Sequence, residues 1–467
     1  MQSQTARAMR LPVCPTVFVC ALLSVAGATF AAGCSAGAGS SARAIPTALP
    51  ALPALPAVAQ GFGRTARTPH HILILVQENR SVDNLFNGYP GADTQAWGLN
   101  SKGQRVPLHP WPLGAGDPDH SYQNFVVEYD NGKLDGFNNA ASNCNRVPGC
   151  KDPATFVYAY VPRSQTGPYW LMASRWTFAD HVLQTNEGPS YAAHQYLIAG
   201  QSGNPMAVDS NSSSNCGNDG NASAIDLRTA FPGTLQRVPA CHDFATIFDE
   251  LVAKNDTWKY YAPPIMKYTG LWRPTQEVRH LYNSPYLVSP ETLVLSDIAA
   301  GTLPNVAYVV PDGANSDHPL KGATGGPGWV TTVVNAVGES RYWKDSLIIV
   351  VWDDWGGWYD HYAPYHPPIR PDDPVEYGFR VPLLLIGPYA KKGYISHKDR
   401  DFTALLNTIQ ESFDTAKLGQ MDMYTDDLGD MVDFTQPARP FEPLPTLGRP
   451  PSSFFVPPGQ STPPDTE

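Results

Sequence analysis

Two adjacent carboxylates, Asp353 and Asp354, stand at the end of the aliphatic run Leu347 to Val351 and are followed by Gly356-Gly357. Five aliphatic residues in succession read as a strand buried on both faces. In open α/β sheets the carboxyl ends of the strands face the ligand crevice. Paired acids repel one another, so they call for a cation, a proton or an arginine between them; the alternative is a strand-end turn in which one acid caps the next segment. A second apolar run, His71 to Val76, leads in the same way into Glu78, Asn79, Arg80 and Ser81. Ser190 opens a short helical pattern with Ala193, Tyr196, Leu197 and Gly200 on one side. Its hydroxyl is thereby placed where free backbone N–H groups and the positive end of the helix dipole converge, or it is simply an N-cap. Such oxygen donors suit a hard or borderline divalent cation. A metal beside Ser190 would lower its hydroxyl pKa and neutralise charge on a phosphate. Phosphoryl transfer then needs little more than an acid for the leaving group, a role that suits histidine near neutral pH.

The elements that must position these groups follow from hydropathy. Asn305 to Val310 reads as a third buried strand, leading to Pro311-Asp312 and Asp317-His318-Pro319. Arg380 to Ile386 reads as a fourth, leading to Gly387-Pro388, and its Pro382 predicts an irregular or edge position. Helical patterns cover Phe244 to Lys254, with Asp243 as the cap, Trp329 to Val337, and Phe402 to Phe413. Strands alternating with helices predict an α/β fold, with a largely parallel central sheet and helices on both faces. Asn204 to Ala240 reads as an insertion over the sheet edge. Gln436 to Glu467 is Pro-rich and reads as a loosely ordered tail.

At 467 residues with a formal charge of −11 and 16% charged residues, the chain can bury a sizeable core and is a poor match for nucleic acid. Arg7 and Arg10 precede an apolar run from Leu11 to Ala32, ending in small residues before Cys34, the order of a secretory signal. The segment Phe30 to Cys34 resembles a bacterial lipoprotein box, which would lipidate Cys34 and tether the protein to a membrane. Plain cleavage and a spanning anchor are the alternatives. Residues 35–67 read as a Pro/Ala-rich linker, and 68–435 as the folded domain. The expected location is outside the cytoplasm: cell-envelope lipoprotein, periplasmic or secreted. Beyond the leader lie Cys144, Cys150, Cys216 and Cys241, whose simplest pairing is Cys144 with Cys150 and Cys216 with Cys241.

Glu78-Asn79-Arg80-Ser81-Val82-Asp83 resembles the ENRSFD motif of the bacterial phospholipase C and acid phosphatase phosphoesterase family. Asp353 to His361 is similar to its DExGGxxDHV motif, and Gly378-Phe379-Arg380-Val381-Pro382 to its GxRVP. The resemblance runs from Glu78 to about His397. It implies an alkaline-phosphatase-like α/β fold, hydrolysis of phosphate esters, and one divalent metal ion, with Ca, Mg, Mn and Zn all open. By motif, Glu78, Asn79, Asp353, Asp354 and Ser190 would bind the metal, and Asn79 would also touch phosphate. Ser190 would be the nucleophile, with Thr185 as its rival. His120 in Asp117-Pro118-Asp119-His120 and His318 beside Asp317 resemble the phosphate-site histidines. His361 follows from the DH of the second motif, in direct contact or acting through another ligand. Val82 for the usual Phe and Asn84 for a frequent His depart from the family motif, and Asp354 stands where phospholipase C members commonly have Glu; with Ser190 and without PNR, the chain resembles the acid phosphatase branch more than the phospholipase branch.

The leading expectation is therefore an exported, metal-dependent phosphomonoesterase working through a phosphoserine. A phospholipase C acting on phosphatidylcholine-type lipids is the alternative within the class. A non-catalytic surface lipoprotein that binds a phosphorylated or polyol ligand is the alternative outside it.

Overall fold

The computed structural model describes residues 68–446, except 204–206, 211–215, 218–223, 229–234, 240, 264–271, 320–322 and 367–376, together with residue 454. The leader expected over 1–34, with Cys34, and the linker 35–67 lie outside the described residues, which all fall in the compact unit Ala57–Glu467.

Among the described residues a nine-stranded sheet organises the chain. Its strands, in chain order, are β1 (His71–Gln77), β2 (Thr177–Leu183), β3 (Trp258–Tyr261), β4 (Leu287–Val288), β5 (Val306–Val309), β6 (Ser346–Trp352), β7 (Arg380–Ile386), β8 (Tyr394–Ser396) and β9 (Arg400–Asp401). In space they run β4-β3-β5-β1-β6-β7-β2-β8, with β9 also paired to β2. Every neighbouring pair is parallel except those of β7, which is antiparallel to both β6 and β2. The aliphatic runs of β1, β6 and β7 are buried along their length because helices cover both faces of the sheet. Two helix groups do this: α1 (Arg163–Arg175), α4 (Leu293–Ala300) and α5 (Gly326–Gly338) pack together, as do α2 (Ser190–Ala199), α3 (Ile247–Ala253) and α6 (Thr403–Phe413). The α/β architecture and the largely parallel sheet are as expected.

Three local expectations are corrected. Pro382 lies in an interior strand rather than at an edge, and a bulge makes this tolerable. Val381 faces Val182 while Leu383 faces Ala179, so Asp180 and His181 together stand opposite the one proline that has no N–H to offer. Because β7 is antiparallel, its Arg380 end, and not Gly387-Pro388, reaches the edge at which β1 and β6 terminate. The cap of α3 is Thr246, in a reciprocal capping box with Asp249, while Asp243 pairs with His280 at 2.7 Å.

The insertion within 204–240 carries a small antiparallel sheet of Ala207–Ser210, Ala224–Arg228 and Leu235–Pro239. Disulfides join Cys144 to Cys150 and Cys216 to Cys241, the simplest pairing. A second apolar cluster, which includes Phe125, Phe137, Phe156, Trp355, Trp358 and Phe379, backs the loop that follows β6.

The start of the expected tail is packed down rather than loose. Asn335 on α5 exchanges side-chain hydrogen bonds with the backbone of Leu444 at 2.9 and 2.8 Å, and Trp343 Nε1 donates to Arg439 O at 2.8 Å. The ring of Phe441 lies against Gly338, 4.9 Å from the Trp343 ring and 6.2 Å from that of Trp176. Proline fixes the backbone here while aromatics supply the burial. Phe441→Ala is expected to lower stability by about 1–3 kcal/mol, below the range for a fully buried phenylalanine. Urea denaturation measures this, and an unchanged midpoint would show that the segment contributes nothing to the fold.

Candidate active site

The central acids emerge side by side because of strand register. Gln77 of β1 pairs with Trp352 of β6, so the next residues, Glu78 and Asp353, leave the sheet at the same level. Asn79 then adopts φ 59°, a left-handed conformation that asparagine tolerates better than most side chains. This turn points its N–H at Asp353 Oδ1 (3.0 Å), which also accepts from the Asp354 N–H (2.8 Å). Arg80 N–H donates to Asp354 O at 2.8 Å, tying the two strand ends together. Gly356 and Gly357 follow at φ 65° and 68°. A Cβ on the first would lie 2.3 Å from Asn79 O, and one on the second 2.7 Å from Pro118 Cβ, so only glycines let the loop press against the segments carrying Asn79 and His120.

Ser190 is the first residue of α2, as its spacing predicts, and every residue of this helix is buried. Its hydroxyl donates toward Glu78 Oε2 (3.2 Å) and Asp354 Oδ2 (3.1 Å). One turn later, His194 Nε2 lies 3.1 Å from Glu78 Oε1 and 3.5 Å from Asp353 Oδ2. His194 was not among the residues singled out in the sequence. The signal was its position four residues after Ser190, which puts both side chains on one side of a helix.

Three carboxylates are thus fully buried in mutual contact, and among the described residues no lysine or arginine lies within ion-pair distance of them. Burial, then the Asp353 charge, raises Glu78 well above the ordinary carboxylate range. The same two causes push Asp354 up to about 8. Burial also works against the charge of Asp353, yet the His194 imidazole beside it holds its carboxyl below the usual range. Asn79 Oδ1 and Asp353 Oδ2 are buried without a hydrogen-bond partner. Glu78, His194 and Asp353 offer ligand atoms all within 4.8 Å of one another. Excess buried negative charge, orphaned oxygens and a hydroxyl at this spacing fit a divalent cation.

His120 joins the group, its Nε2 2.6 Å from Asn79 Nδ2 and 3.9 Å from Asp354 Oδ2, while its Nδ1 faces Pro118 O at 2.9 Å. The buried ring of His318 is centred 6.3 Å from that of His120. Three expected positions serve elsewhere. The Asp317 carboxylate accepts through Oδ2 from Tyr169 OH (2.6 Å) and Trp352 Nε1 (3.2 Å), its carbonyl accepts from Arg80, and its φ of 73° turns the chain so that His318 follows. The Thr185 hydroxyl accepts from the Phe402 N–H at 3.1 Å. His361 sits in a separate charge cluster, held by Asp83.

The Phosphoesterase family matches this chain over residues 70–416. The chain is similar to the hemolytic phospholipase C of Pseudomonas aeruginosa, 24% identical over 404 residues, or 75% of this chain and 53% of that protein. It is 24% identical to the non-hemolytic phospholipase C of Burkholderia pseudomallei over 75% of this chain and 56% of that one. Phospholipase C A of Mycobacterium tuberculosis is 24% identical over 73% of this chain and 72% of its own. The chain spans little more than half the length of the first two relatives. A protein in the alkaline phosphatase superfamily from Vibrio parahaemolyticus aligns with a TM-score of 0.37 at 11% identity, over 78% of this chain and 71% of its own.

The cluster around His361 is centred on buried Arg380, whose Nε donates to Asp360 Oδ1 (2.9 Å) and whose Nη1 donates to the carbonyls of Asp93 and Asp180. His361 Nδ1 lies 2.6 Å from Asp83 Oδ2, and His181 bridges Asp93 (3.0 Å) and Asp399 (2.9 Å). Burial disfavours charge on these imidazoles, but hydrogen bonds that they donate to the flanking carboxylates outweigh it and raise both above the ordinary histidine value. A raised folded-state pKa contributes stability that is fully present below the unfolded value of about 6.5 and is lost as pH climbs through the folded value. The thermal midpoint should therefore fall as pH is raised through neutrality into mild alkali, and His361→Gln should flatten that fall. Identical slopes for the two proteins would mean that the His361 imidazole is not ionised in the folded state.

Proposed function

Because the chain belongs to the Phosphoesterase family, we propose that this site hydrolyses phosphate esters, with Ser190 as nucleophile and phosphomonoesters as substrates. The observation that carries the reading is the placement of the Ser190 hydroxyl on two buried carboxylates at the start of a buried helix. Glu78, Asn79, Asp353, Asp354 and Ser190 would hold one divalent cation. When bound, it would supply positive charge to the phosphate and lower the pKa of the serine hydroxyl.

The chain's own residues account for the remaining needs. Ser190 Oγ gives its proton toward Glu78 or Asp354 as it forms a bond to phosphorus, and the bond from phosphorus to the leaving oxygen breaks. Free N–H groups in the first turn of α2 face the phosphate oxygens. His120 and His318 are the groups able to protonate the leaving oxygen, and afterwards to take a proton from the water that hydrolyses the phosphoserine. Asn79 orients His120 through its amide.

A second reading, phospholipase C action on phosphatidylcholine, is favoured by the names of the relatives. Ser190 in place of threonine, with no PNR after it, favours the monoester reading. The leader ending at Cys34 and the two disulfides support an exported protein, with lipidated Cys34 as its tether.

Ser190→Ala should reduce turnover of p-nitrophenyl phosphate on the order of 10⁴-fold, and denaturing the wild type during turnover should trap label on Ser190. Full activity in the variant would sink the mechanism. Diacylglycerol released from phosphatidylcholine vesicles faster than small monoesters are hydrolysed would replace the monoester reading with the lipid one.

A further inference from the structure

We propose that His194 supplies a nitrogen ligand to the cation of this site, converting an all-oxygen cradle into a mixed one that selects zinc-like over calcium-like ions. This rests on the reading above that the site holds a divalent cation.

Ser190 and His194 are one helical turn apart on a helix with no exposed residue, so both side chains are delivered to the same place by one rigid element. The two oxygens of Glu78 are divided between them, Oε2 at 3.2 Å from the serine hydroxyl and Oε1 at 3.1 Å from His194 Nε2. Asp354 Oδ2 is 3.1 Å from the hydroxyl on one side, and Asp353 Oδ2 is 3.5 Å from the imidazole on the other. Ligands at about 2.0–2.2 Å from a zinc-like ion stand roughly 3.0–3.6 Å from one another, and these separations fall in that range. Asp353 Oδ2 has no hydrogen-bond partner, and the 3.5 Å gap to the imidazole is one that an ion between them would fill. His194 and Asp353 are both buried, at 1% and 0% exposure, so the gap lies inside the protein.

The chemistry of the donors gives the consequence. Calcium and magnesium are held by oxygen, whereas imidazole favours zinc and the other borderline first-row ions. His194 is the side chain here that shifts the site from the first group toward the second.

The test uses the full chain. Protein labelled with 15N-histidine is loaded with 113Cd2+, and an imidazole nitrogen split by one-bond coupling to cadmium is expected, persisting in His120→Gln and His318→Gln. The split should persist equally in His181→Gln, His361→Gln and His397→Gln, whose imidazoles stand in two other carboxylate groups able to hold a cation, and should be lost in His194→Gln. In parallel, His194→Gln, checked for folding by circular dichroism, should bind Zn2+ more weakly by clearly more than about 100-fold, beyond the usual cost of losing a group that acts through another ligand. Its affinity for Ca2+ should change much less. Cadmium bound with no split imidazole, or Zn2+ and Ca2+ weakened equally in the variant, would overturn the inference and leave His194 as a hydrogen-bonding brace. Wild-type protein that binds none of Cd2+, Zn2+ and Ca2+ would instead overturn the cation reading on which it rests.

Discussion

Three carboxylates buried side by side is the constraint to which the rest of the molecule responds. Glu78, Asp353 and Asp354 repel one another when ionised, and other parts of the chain keep them together. Parallel register brings β1 and β6 out at one level, the left-handed turn at Asn79 aims a backbone N–H at Asp353, and two glycines bring the following loop within reach. The helix carrying Ser190 arrives with its positive end toward the acids, and His194 lies against two of them. The backbone N–H on Asp353, the positive end of the helix and the imidazole each offset the charge that the strand register concentrates.

Much of what surrounds the centre is bracing. Arg80 meets the acids only through its backbone N–H, on the Asp354 carbonyl; its guanidinium takes the Asp317 carbonyl and the Asn84 side chain, fixing the turn that leads to His318. Ser81 donates to Tyr359 O and accepts from the Asn84 N–H, closing the first motif onto the second. Asp83 holds both the backbone and the ring of His361. Adjacent residues in one short stretch thus divide into those that face the chemistry and those that hold the stretch still.

That division limits what can be read from sequence. The buried strands β1 and β6, the acids at their ends and the serine at a helix start are all legible, because hydrophobic runs and helix starts are local signals. Asp317 and His361 carry the right chemical types at the right strand ends, yet a backbone turn or a nearby arginine diverts them, and neither is visible in spacing. Pro382 shows the same difficulty in the sheet. Proline locally predicts an edge, whereas the bulge that admits it to the interior belongs to the partner strand. His194 was legible in principle, since it lies four residues after Ser190, but it falls among apolar residues that read as packing.

The two halves of the acid cluster meet across a long stretch of chain: the contact from Asn79 to Asp353 joins residues 274 apart. Between them run β2, β3 and β5, the helix of Ser190 and the disulfide-linked insertion. A nascent chain that has not yet placed β6 beside β1 therefore has no more than half a centre, whatever its local structure. Closing so large a loop is among the slower events in folding. Ligand affinity at the centre thus reports completion of the sheet, and a partly folded chain is silent by construction.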